Sequence, residues 1–336
     1  MVQADKHPLR KMLQAGAFLK WLYWRYLRVG FSLLPPRVIN AITAVMARVQ
    51  MAAAGRKRQL MLEELRLSSL VKDRGADELI LKSFQNQLNS WIKQCYLRKM
   101  NEKTIDEYIP AEGLSHIDRA LGRGKGAILL NPHFGPYMMA MPALGHRGYK
   151  VNQLAIQAES PRVARAGITM LANKARYEAV EKTMPVAFIN AGAETFDNFG
   201  LRNMAIRDML TVLRQNEIVL YPPTGRGGRK WHTAPFLGRT ANFNLVPYKI
   251  ALKEGVPLIP VFLIDVTRGG ANSRNAARAV IESPIEVSAG DTPEGLLMKY
   301  LALLTAYVEK YPEHFAFFQF DMKIKSEWDD HPFFAR

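Results

Sequence analysis

The sequence predicts an α/β protein in which a mostly parallel central sheet, flanked by helices, follows an N-terminal helical extension. In the first third of the chain, segments such as Leu60–Leu70 and Asp77–Leu97 have apolar residues at helical spacing. From residue 126 onward, short apolar runs alternate with helical segments, a pattern typical of parallel sheets covered on both faces. With 336 residues, 48% of them apolar, the chain is long enough to bury a large core.

We expect two regions within one continuous domain. Residues 1–120 are predicted to form a basic amphipathic N-terminal helix and a helical layer, and residues 121–336 an α/β region. The single cysteine, Cys95, excludes intramolecular disulfides and cysteine-rich metal sites. No His–Glu–His pattern is present, so we predict no metal site.

The positive charge is concentrated at the N-terminus. The net charge is +16, and the first 60 residues contain 11 bases and a single acid, which favours an anionic partner. In residues 12–34, Lys20, Arg25 and Arg28 interrupt the apolar stretch that a membrane span would need. On a helix they share one aromatic-rich arc, and the rest of the circumference is apolar. This pattern favours a helix lying in a membrane interface; the alternative is a helix packed on its own protein.

The α/β region begins with Gly126–Gly145, which contains no Lys, Arg, Asp or Glu. Its three prolines argue against one continuous helix. We therefore predict a buried strand at Ala127–Leu130, a turn, and a short helix from Tyr137.

The rest of the region alternates between strands and helices. The further strands are predicted at Val151–Ile156, Pro185–Ile189, Ile218–Tyr221, Leu258–Leu263 and Ala279–Ile281. The helices are predicted at residues 137–145, 160–179, 201–215, 241–254 and 294–311. Functional residues of such sheets gather at the carboxyl ends of the strands.

His133 is the candidate catalytic residue because it directly follows the strand Ala127–Leu130 and precedes a turn and a helix. A histidine presented at the edge of the sheet can act as a general base near neutral pH. The alternative is a buried histidine whose ring is satisfied by the backbone.

A second motif, residues 221–239, also follows a predicted strand. It contains four basic residues with no acid between Glu217 and Glu254, namely Arg226, Arg229, Lys230 and Arg239. Guanidinium groups suit phosphate, and glycines allow the backbone to approach a ligand. We interpret these side chains as candidates for binding a phosphate or another anionic substrate group; the alternative is a solvated basic loop.

These motifs, in this order, resemble the lysophospholipid acyltransferase superfamily, specifically its lipid A lauroyl/myristoyl acyltransferase branch. The resemblance rests first on Gly124–Gly135, which has a Gly-Lys-Gly turn, a strand and a His-Phe-Gly segment. Further matching segments lie at residues 56–67, 144–149, 213–221, 234–238 and 251–260. The resemblance covers roughly residues 15–325 and implies a glycerol-phosphate-acyltransferase-like fold with a membrane-associated N-terminal helix.

The resemblance implies that a fatty acyl group moves from a thioester on acyl carrier protein or coenzyme A to a hydroxyl or amine of a membrane lipid or glycolipid. It implies that His133 takes the acceptor proton and that an acid five residues later orients the imidazole. Here that position is Met138, whose thioether cannot stabilise an imidazolium. The resemblance also implies an Asp-Gln pair after a later strand, where this sequence has Pro223-Thr224. It implies an arginine-rich C-terminal segment, where this sequence has residues 318–324.

The group that orients His133 is therefore open, and Asn131, Tyr137 and Glu159 are the candidates. Met138, Met139 and Met141 either line a groove for an acyl chain or belong to the core. The product is an ester or, in a variant of the reaction, an amide; in another variant the donor supplies an aminoacyl group. The alternative function is a catalytically degenerate family member that binds acyl carrier protein or lipid.

The expected partners are a membrane lipid and the acyl thioester, with no cofactor beyond that donor. Nucleic acid is not expected, because no recognisable nucleic-acid-binding motif accompanies the basic residues. The expected location is peripheral or monotopic on the cytoplasmic face of the bacterial inner membrane.

Overall fold

The computed structural model describes residues 18–53, 55–68, 70, 75–155, 168–181, 183, 186–190, 199–224, 231–266, 274–316, 318, 320, 333 and 334. Within these residues the chain has a seven-stranded, mostly parallel sheet with helices on both faces, preceded by an N-terminal helical region. The predicted α/β fold class is confirmed.

The N-terminal region consists of consecutive helices. The first begins by residue 18, passes through a π-helical turn at Tyr23–Leu27 and ends as α1 (Arg28–Leu33). The next elements are α2 (Pro36–Ala53), α3 (Gly55–Leu67), α4 (Ala76–Ile92), the 3₁₀ turn Lys93–Lys99 and α5 (Ile105–Tyr108). Leu34 and Pro35 separate α1 from α2, and Pro36 begins α2, where a missing N–H breaks no helical bond.

Among the described residues, no single helix has both the length and the apolar composition needed to cross a bilayer. Taken together, α2 and α3 do pass this test, but their axes are bent by 95° at the junction.

The central sheet has the order β1-β9-β8-β2-β5-β3-β4. Its strands are β1 (Ala111–Glu112), β2 (Ala127–Leu130), β3 (Val151–Ala155), β4 (Val186–Asn190), β5 (Ile218–Tyr221), β8 (Leu258–Asp265) and β9 (Ala277–Ile281). The pairings of β2 with β5 and β8 are parallel, whereas β9 runs antiparallel to β8. Strand β2 is therefore central, and its last residue, Leu130, pairs with Tyr221 at the end of β5 and with Pro260 in β8, which continues to Asp265.

The helices that accompany the sheet are α6 (Leu114–Leu121), the 3₁₀ turn Tyr137–Met139 with α7 (Ala140–Gly145), α8 (Ile168–Glu181), α9 (Phe199–Arg214), α10 (Val246–Glu254), α11 (Pro293–Lys310) and the 3₁₀ turn Pro312–His314. The helices predicted at residues 137–145, 201–215 and 294–311 lie close to their predicted positions. The first residues of the helix predicted at 160–179 lie outside the described residues.

A hairpin replaces the start of the helix predicted at residues 241–254. Strands β6 (His232–Phe236) and β7 (Arg239–Phe243) pair antiparallel, and the helix begins only at Val246. The two connecting residues, Leu237 and Gly238, both have positive φ, 53° and 73°, which is the backbone of a two-residue turn matched to strand twist. The prediction was wrong because the apolar residues here alternate with period two.

Both faces of the sheet are buried. In β2, Ala127 and Leu129 point into one apolar cluster, and Ile128 and Leu130 into the other, as expected when successive side chains alternate across a strand. The first cluster contains buried residues of the N-terminal helices, and the second contains residues of α9, α10, α11 and the hairpin. The N-terminal helices thus cover one face of the same sheet on which the candidate site is built.

Candidate functional site

His133 and Thr224 meet at the carboxyl edge of the sheet. His133 lies just beyond the end of β2, and Thr224 lies just beyond the end of the neighbouring strand β5. The Asn131 N–H donates to the Tyr221 carbonyl at 2.9 Å, so backbone pairing continues one residue beyond β2. Two chain segments separated by 91 residues are thereby brought together, as expected for neighbouring parallel strands.

Thr224 binds both the backbone and the ring of His133. The His133 N–H donates to Thr224 Oγ1 at 3.0 Å, and His133 Nδ1 lies 2.8 Å from the same oxygen. Thr224 is completely buried. The imidazole also stacks on Phe318, with ring centroids 5.2 Å apart, and lies 4.8 Å from the ring of Tyr137. A hydroxyl and two aromatic rings therefore fix the orientation of the candidate base.

The shared proton determines what His133 can do. A threonine hydroxyl has one proton and two lone pairs, and the His133 N–H occupies one of the lone pairs. If the hydroxyl donates to Nδ1, neutral imidazole has its proton on Nε2. If Nδ1–H donates to the hydroxyl instead, Nε2 is unprotonated. Only the second tautomer can accept a proton from an acyl acceptor at Nε2.

The three residues proposed to orient His133 have different placements. The Asn131 amide donates to the Tyr137 carbonyl at 3.0 Å, so it shapes the turn that follows the histidine. Tyr137 contacts the imidazole with its ring. Glu159 lies outside the described residues. Sequence analysis missed Thr224 as an orienting group, although its position after a strand was a signal that could have identified it.

The position at which the resemblance implied an acid lies beside an arginine. An N–H of Arg176 in α8 donates to the Met138 sulfur at 3.2 Å, and the guanidinium lies 5.4 Å from the ring centre of Trp91. Met139 and Met141 are completely buried in the core. These two methionines therefore take the core alternative that the sequence left open.

The segment after His133 is held against β8. Gly135 has φ +55°, and a Cβ at this position would lie 2.3 Å from the Leu263 carbonyl oxygen. The Gly135 N–H donates to the His314 carbonyl at 3.0 Å, and the Asp265 N–H donates to His314 Nε2 at 2.9 Å. Only glycine fits this backbone without strain, so the loop of His133 has a defined path.

A buried ion pair lies at the end of β8. Lys93 Nζ is 2.6 Å from Asp265 Oδ1, and the two side chains are 0% and 1% exposed. Asn89 donates to the second carboxylate oxygen at 2.6 Å and is itself 2.6 Å from the Thr43 hydroxyl. These contacts satisfy the buried charges and connect α2 and α4 to the edge that bears His133. No sequence spacing indicates a pair separated by 172 residues.

The predicted anion-binding residues fall into two groups. Arg226, Arg229 and Lys230 lie outside the described residues. Arg239 is ion-paired with Glu64 of α3 at 2.7 Å, where the Glu64 side chain is 3% exposed, and its guanidinium lies 4.0 Å from the centre of the Phe334 ring. The expectation that Arg239 binds a substrate phosphate stays a prediction, and the structure gives its charge an internal partner in Glu64.

The N-terminal helix has both a buried face and an exposed apolar face. Tyr23 and Trp24 are buried, and the Tyr23 hydroxyl donates to the Ile92 carbonyl at 2.6 Å. Lys20 lies 4.0 Å from the ring centre of Trp91. Exposed apolar side chains are nevertheless numerous here: Phe18, Leu19, Tyr26, Leu27, Val29 and Leu33. The helix therefore packs on its own protein while presenting a second apolar surface outward.

The described residues provide neither an activated thiol nor a metal site. Burial raises the pKa of Cys95 to about 12, so its thiol stays protonated and is a poor nucleophile. Within the ranges that the structure describes, no three His, Cys, Asp or Glu side chains are grouped to hold a metal ion.

The fold and the site define an α/β protein with a histidine held at the carboxyl edge of a central parallel strand. The model of the family described as bacterial lipid A biosynthesis acyltransferase matches residues 5–323. The chain belongs to this family and is an acyltransferase, which confirms the family that the sequence motifs indicated. None of the curated proteins compared with the chain matches it.

Proposed function

We propose that this acyltransferase moves an acyl group from a thioester donor, on acyl carrier protein or coenzyme A, to a hydroxyl or amine of a membrane lipid, with His133 as general base. The observation that supports this proposal is the 2.8 Å contact between His133 Nδ1 and Thr224 Oγ1. In this proposal Thr224 is a positioning residue that takes over part of the role of the missing acid.

The reaction requires one proton to be moved twice. His133 Nε2 takes the proton of the acceptor as its oxygen or nitrogen attacks the thioester carbonyl. The carbon–sulfur bond of the resulting tetrahedral intermediate then breaks, and the imidazolium returns the proton to the departing thiolate. No protein group is acylated. During the step Nδ1–H donates to Thr224, which has no negative charge and therefore stabilises imidazolium less than a carboxylate would.

The acyl group is carried by acyl carrier protein or by coenzyme A, and both carriers are anionic. We propose that Arg226, Arg229 and Lys230 bind this carrier. The basis for this proposal is their acid-free basic segment following β5. Thr224, the described residue that precedes this segment in the sequence, lies at the carboxyl edge of the sheet. Guanidinium groups bind phosphate through paired hydrogen bonds.

We propose that the protein is peripheral or monotopic on the cytoplasmic face of the bacterial inner membrane. The proposal is supported by the exposed apolar side chains of the N-terminal helix together with its basic composition. Three further apolar side chains, Val45, Met46 and Val49, are exposed on α2.

One observation favours the alternative function, binding of acyl carrier protein or lipid without catalysis. Among the contacts of the described residues, Nδ1 of His133 is the acceptor available to the Thr224 hydroxyl proton. A resting hydroxyl that donates to Nδ1 places the imidazole proton on Nε2, so base catalysis requires the hydroxyl to turn. If the Thr224 hydroxyl never rotates away from Nδ1, the protein would bind its substrates without turnover.

A pair of Thr224 variants separates catalysis from binding. Thr224→Ser keeps the hydroxyl, whereas Thr224→Val keeps the shape and removes the hydrogen bond. We expect Thr224→Ser to retain turnover of an acyl thioester and Thr224→Val to lose about 10- to 100-fold in kcat, the value of one hydrogen bond to a charged group, with KM unchanged. Equal turnover by the two folded variants would show that Thr224 does not position the base, and no thioester turnover by the wild type would favour the binding function.

A further inference from the structure

A second histidine, His314, lies against the loop that follows His133. It ends the 3₁₀ turn Pro312–His314, which comes directly after α11, and it is buried. The proposed proton transfer does not use this histidine. Its backbone and its ring nevertheless both contact the loop, so its effect on the catalytic residue can be derived from these contacts.

His314 holds the two residues that directly follow His133. The Gly135 N–H donates to the His314 carbonyl at 3.0 Å. The ring centroids of His314 and Phe134 lie 5.1 Å apart, and a Cβ on Gly135 would lie 2.5 Å from Cδ2 of His314. The imidazole of His314 is therefore packed directly against the backbone of the loop. A shift of this ring would move the residues that follow the catalytic histidine, because the contact leaves no space between them.

The chain after His314 also supports the catalytic imidazole. Phe315, the next residue, is completely buried, and its ring centroid lies 5.0 Å from that of Phe318. Phe318 in turn stacks on His133, with ring centroids 5.2 Å apart and ring planes inclined by 15°. The segment that begins with His314 therefore contacts both the loop and the ring of His133.

The tautomer of His314 follows from its hydrogen-bond donor. The Asp265 N–H donates to Nε2 of His314 at 2.9 Å, and a backbone N–H can only donate. Nε2 is therefore unprotonated, and the neutral ring has its proton on Nδ1, which lies 3.4 Å from a carboxylate oxygen of Glu313. While this hydrogen bond is made, His314 has no ring nitrogen with which to replace His133 as the base.

The donor to His314 has a well-defined position. Asp265 is the last residue of β8, and its two carboxylate oxygens bind Lys93 and Asn89, each at 2.6 Å. Strand β8 pairs with β2, the strand that leads to His133. The hydrogen bond from Asp265 thus ties the ring of His314 to the part of the sheet on which the catalytic residue is built.

We propose that His314 is a positioning residue for His133. Its ring, held by the Asp265 N–H, sets the path of Phe134 and Gly135 and with it the direction in which Nε2 of His133 points. This inference deepens the proposed function and rests on it, since it takes His133 as the general base. A base must lie within hydrogen-bond reach of the proton that it accepts, and a misplacement of roughly 1 Å can lower a rate by about 100-fold. Loss of the hydrogen bond to His314 should therefore lower kcat rather than weaken substrate binding.

Three variants of the full chain test whether the acceptor atom of His314 matters. His314→Gln keeps an oxygen near the position of Nε2, His314→Asn has a shorter side chain whose oxygen does not reach the Asp265 N–H, and His314→Leu removes the acceptor and keeps a similar size. The measurement is turnover of an acyl thioester with a lipid acceptor. We expect His314→Gln to keep a kcat close to that of wild type. His314→Asn and His314→Leu should lose about 10- to 100-fold in kcat, with KM unchanged.

A control on α11 separates positioning from stability. Leu296 is completely buried near the start of α11, about 20 Å from the last residue of the helix at roughly 1.5 Å per residue. Leu296→Ala should lower the melting temperature at least as much as the His314 variants, because it leaves a cavity in the core, yet keep the kcat of wild type. A loss of kcat in Leu296→Ala as large as in His314→Leu would assign the effect to stability and overturn the proposal.

Equal kcat for His314→Gln and for the variants that lack the acceptor would also overturn the proposal. Two such variants are used, so that the comparison can still be made if one of them does not fold. His133→Ala, assayed in parallel, distinguishes the two levels of the account. If His133→Ala keeps near-normal turnover, the proposed function fails and this inference fails with it. If His133→Ala loses turnover while His314→Gln and His314→Leu remain equal, only the inference about His314 fails.

Discussion

The hydroxyl oxygen of Thr224 lies 2.8 Å from Nδ1 of His133, and both residues stand three positions beyond the paired residues Leu130 and Tyr221. The register of β2 against β5 therefore places the candidate base and its partner side by side. A hydroxyl accepts the Nδ1 proton without contributing a charge, so this contact would stabilise an imidazolium through a hydrogen bond rather than through an ion pair.

Met138→Glu introduces an acid at the position where the family resemblance implied one. Because an Arg176 N–H already donates to this side chain at 3.2 Å, we expect the new carboxylate to pair with Arg176 rather than to orient His133. Stability should rise by about 1 kcal/mol or less, as measured by urea denaturation, with acyl transfer to a hydroxyl acceptor little changed. The gain should vanish in an Arg176→Gln background. A large increase in kcat would instead show that the acid reaches the imidazole.

Gly135→Ala should destabilise the loop of His133. The new Cβ would lie 2.3 Å from the Leu263 carbonyl oxygen, and the residue would keep φ +55°. The matched control is Gly124→Ala, which has φ +71° and open space around the new Cβ. We expect the control to cost about 1–2 kcal/mol from backbone conformation alone and Gly135→Ala to cost more. Equal losses in the free energy of unfolding would show that the loop relaxes away from β8.

The buried pair of Lys93 and Asp265 should show strong coupling in a double-mutant cycle. Lys93→Met leaves a carboxylate buried without its cation, and we expect a loss of about 3–5 kcal/mol in the free energy of unfolding. Adding Asp265→Leu should recover part of that loss. The exposed pair of Lys82 and Glu78, 2.7 Å apart, is the control, and Lys82→Met should have little effect. Additive losses at Lys93 and Asp265 would argue against a coupled pair.

The exposed apolar face of the N-terminal helix should be tested by substitution rather than deletion. Deleting residues 1–36 would remove the buried Tyr23 and Trp24 and disturb the core. Leu19→Gln with Leu27→Gln changes side chains that are 62% and 45% exposed. We expect vesicle binding to weaken about 10-fold or more from the lost apolar contact, whether or not the lipid is anionic.

The control for this surface is Val287→Gln with Met298→Gln, which changes two exposed apolar residues, 46% and 42% exposed, elsewhere on the protein. The control should bind vesicles like wild type, and both variants should keep the wild-type melting temperature. If the two double variants weaken binding equally, the N-terminal helix is not the membrane-binding surface.

The central strands were predictable because β2, β5 and β8 are buried on both faces and appear as continuous apolar runs. The position of His133 followed from the same pattern. The hairpin of β6 and β7 was not predicted, because each strand has only five residues and the period-two alternation within it is short. Buried and exposed residues alternate along both strands. The turn that joins them, Leu237 and Gly238 with positive φ, is a property of the backbone that the sequence does not show.

The partners of the site were harder to predict than the histidine itself. The sequence indicated orienting groups close to His133 along the chain or a distant acid, whereas the structure supplies the hydroxyl of Thr224 from the segment after the neighbouring strand β5. The ion pair of Lys93 and Asp265 joins a helix of the N-terminal region to the end of β8. Such contacts depend on strand order and helix packing, which spacing along the chain does not specify.

The rate of acyl transfer by His133→Ala tests the central claim most directly. The measurement is turnover of an acyl thioester with a lipid acceptor, and His116→Ala on α6 is the control. The account predicts that His133→Ala folds normally and loses at least about 100-fold in kcat, the lower end of general-base contributions, while the control keeps wild-type turnover. Near-normal turnover by a folded His133→Ala would contradict the proposed mechanism.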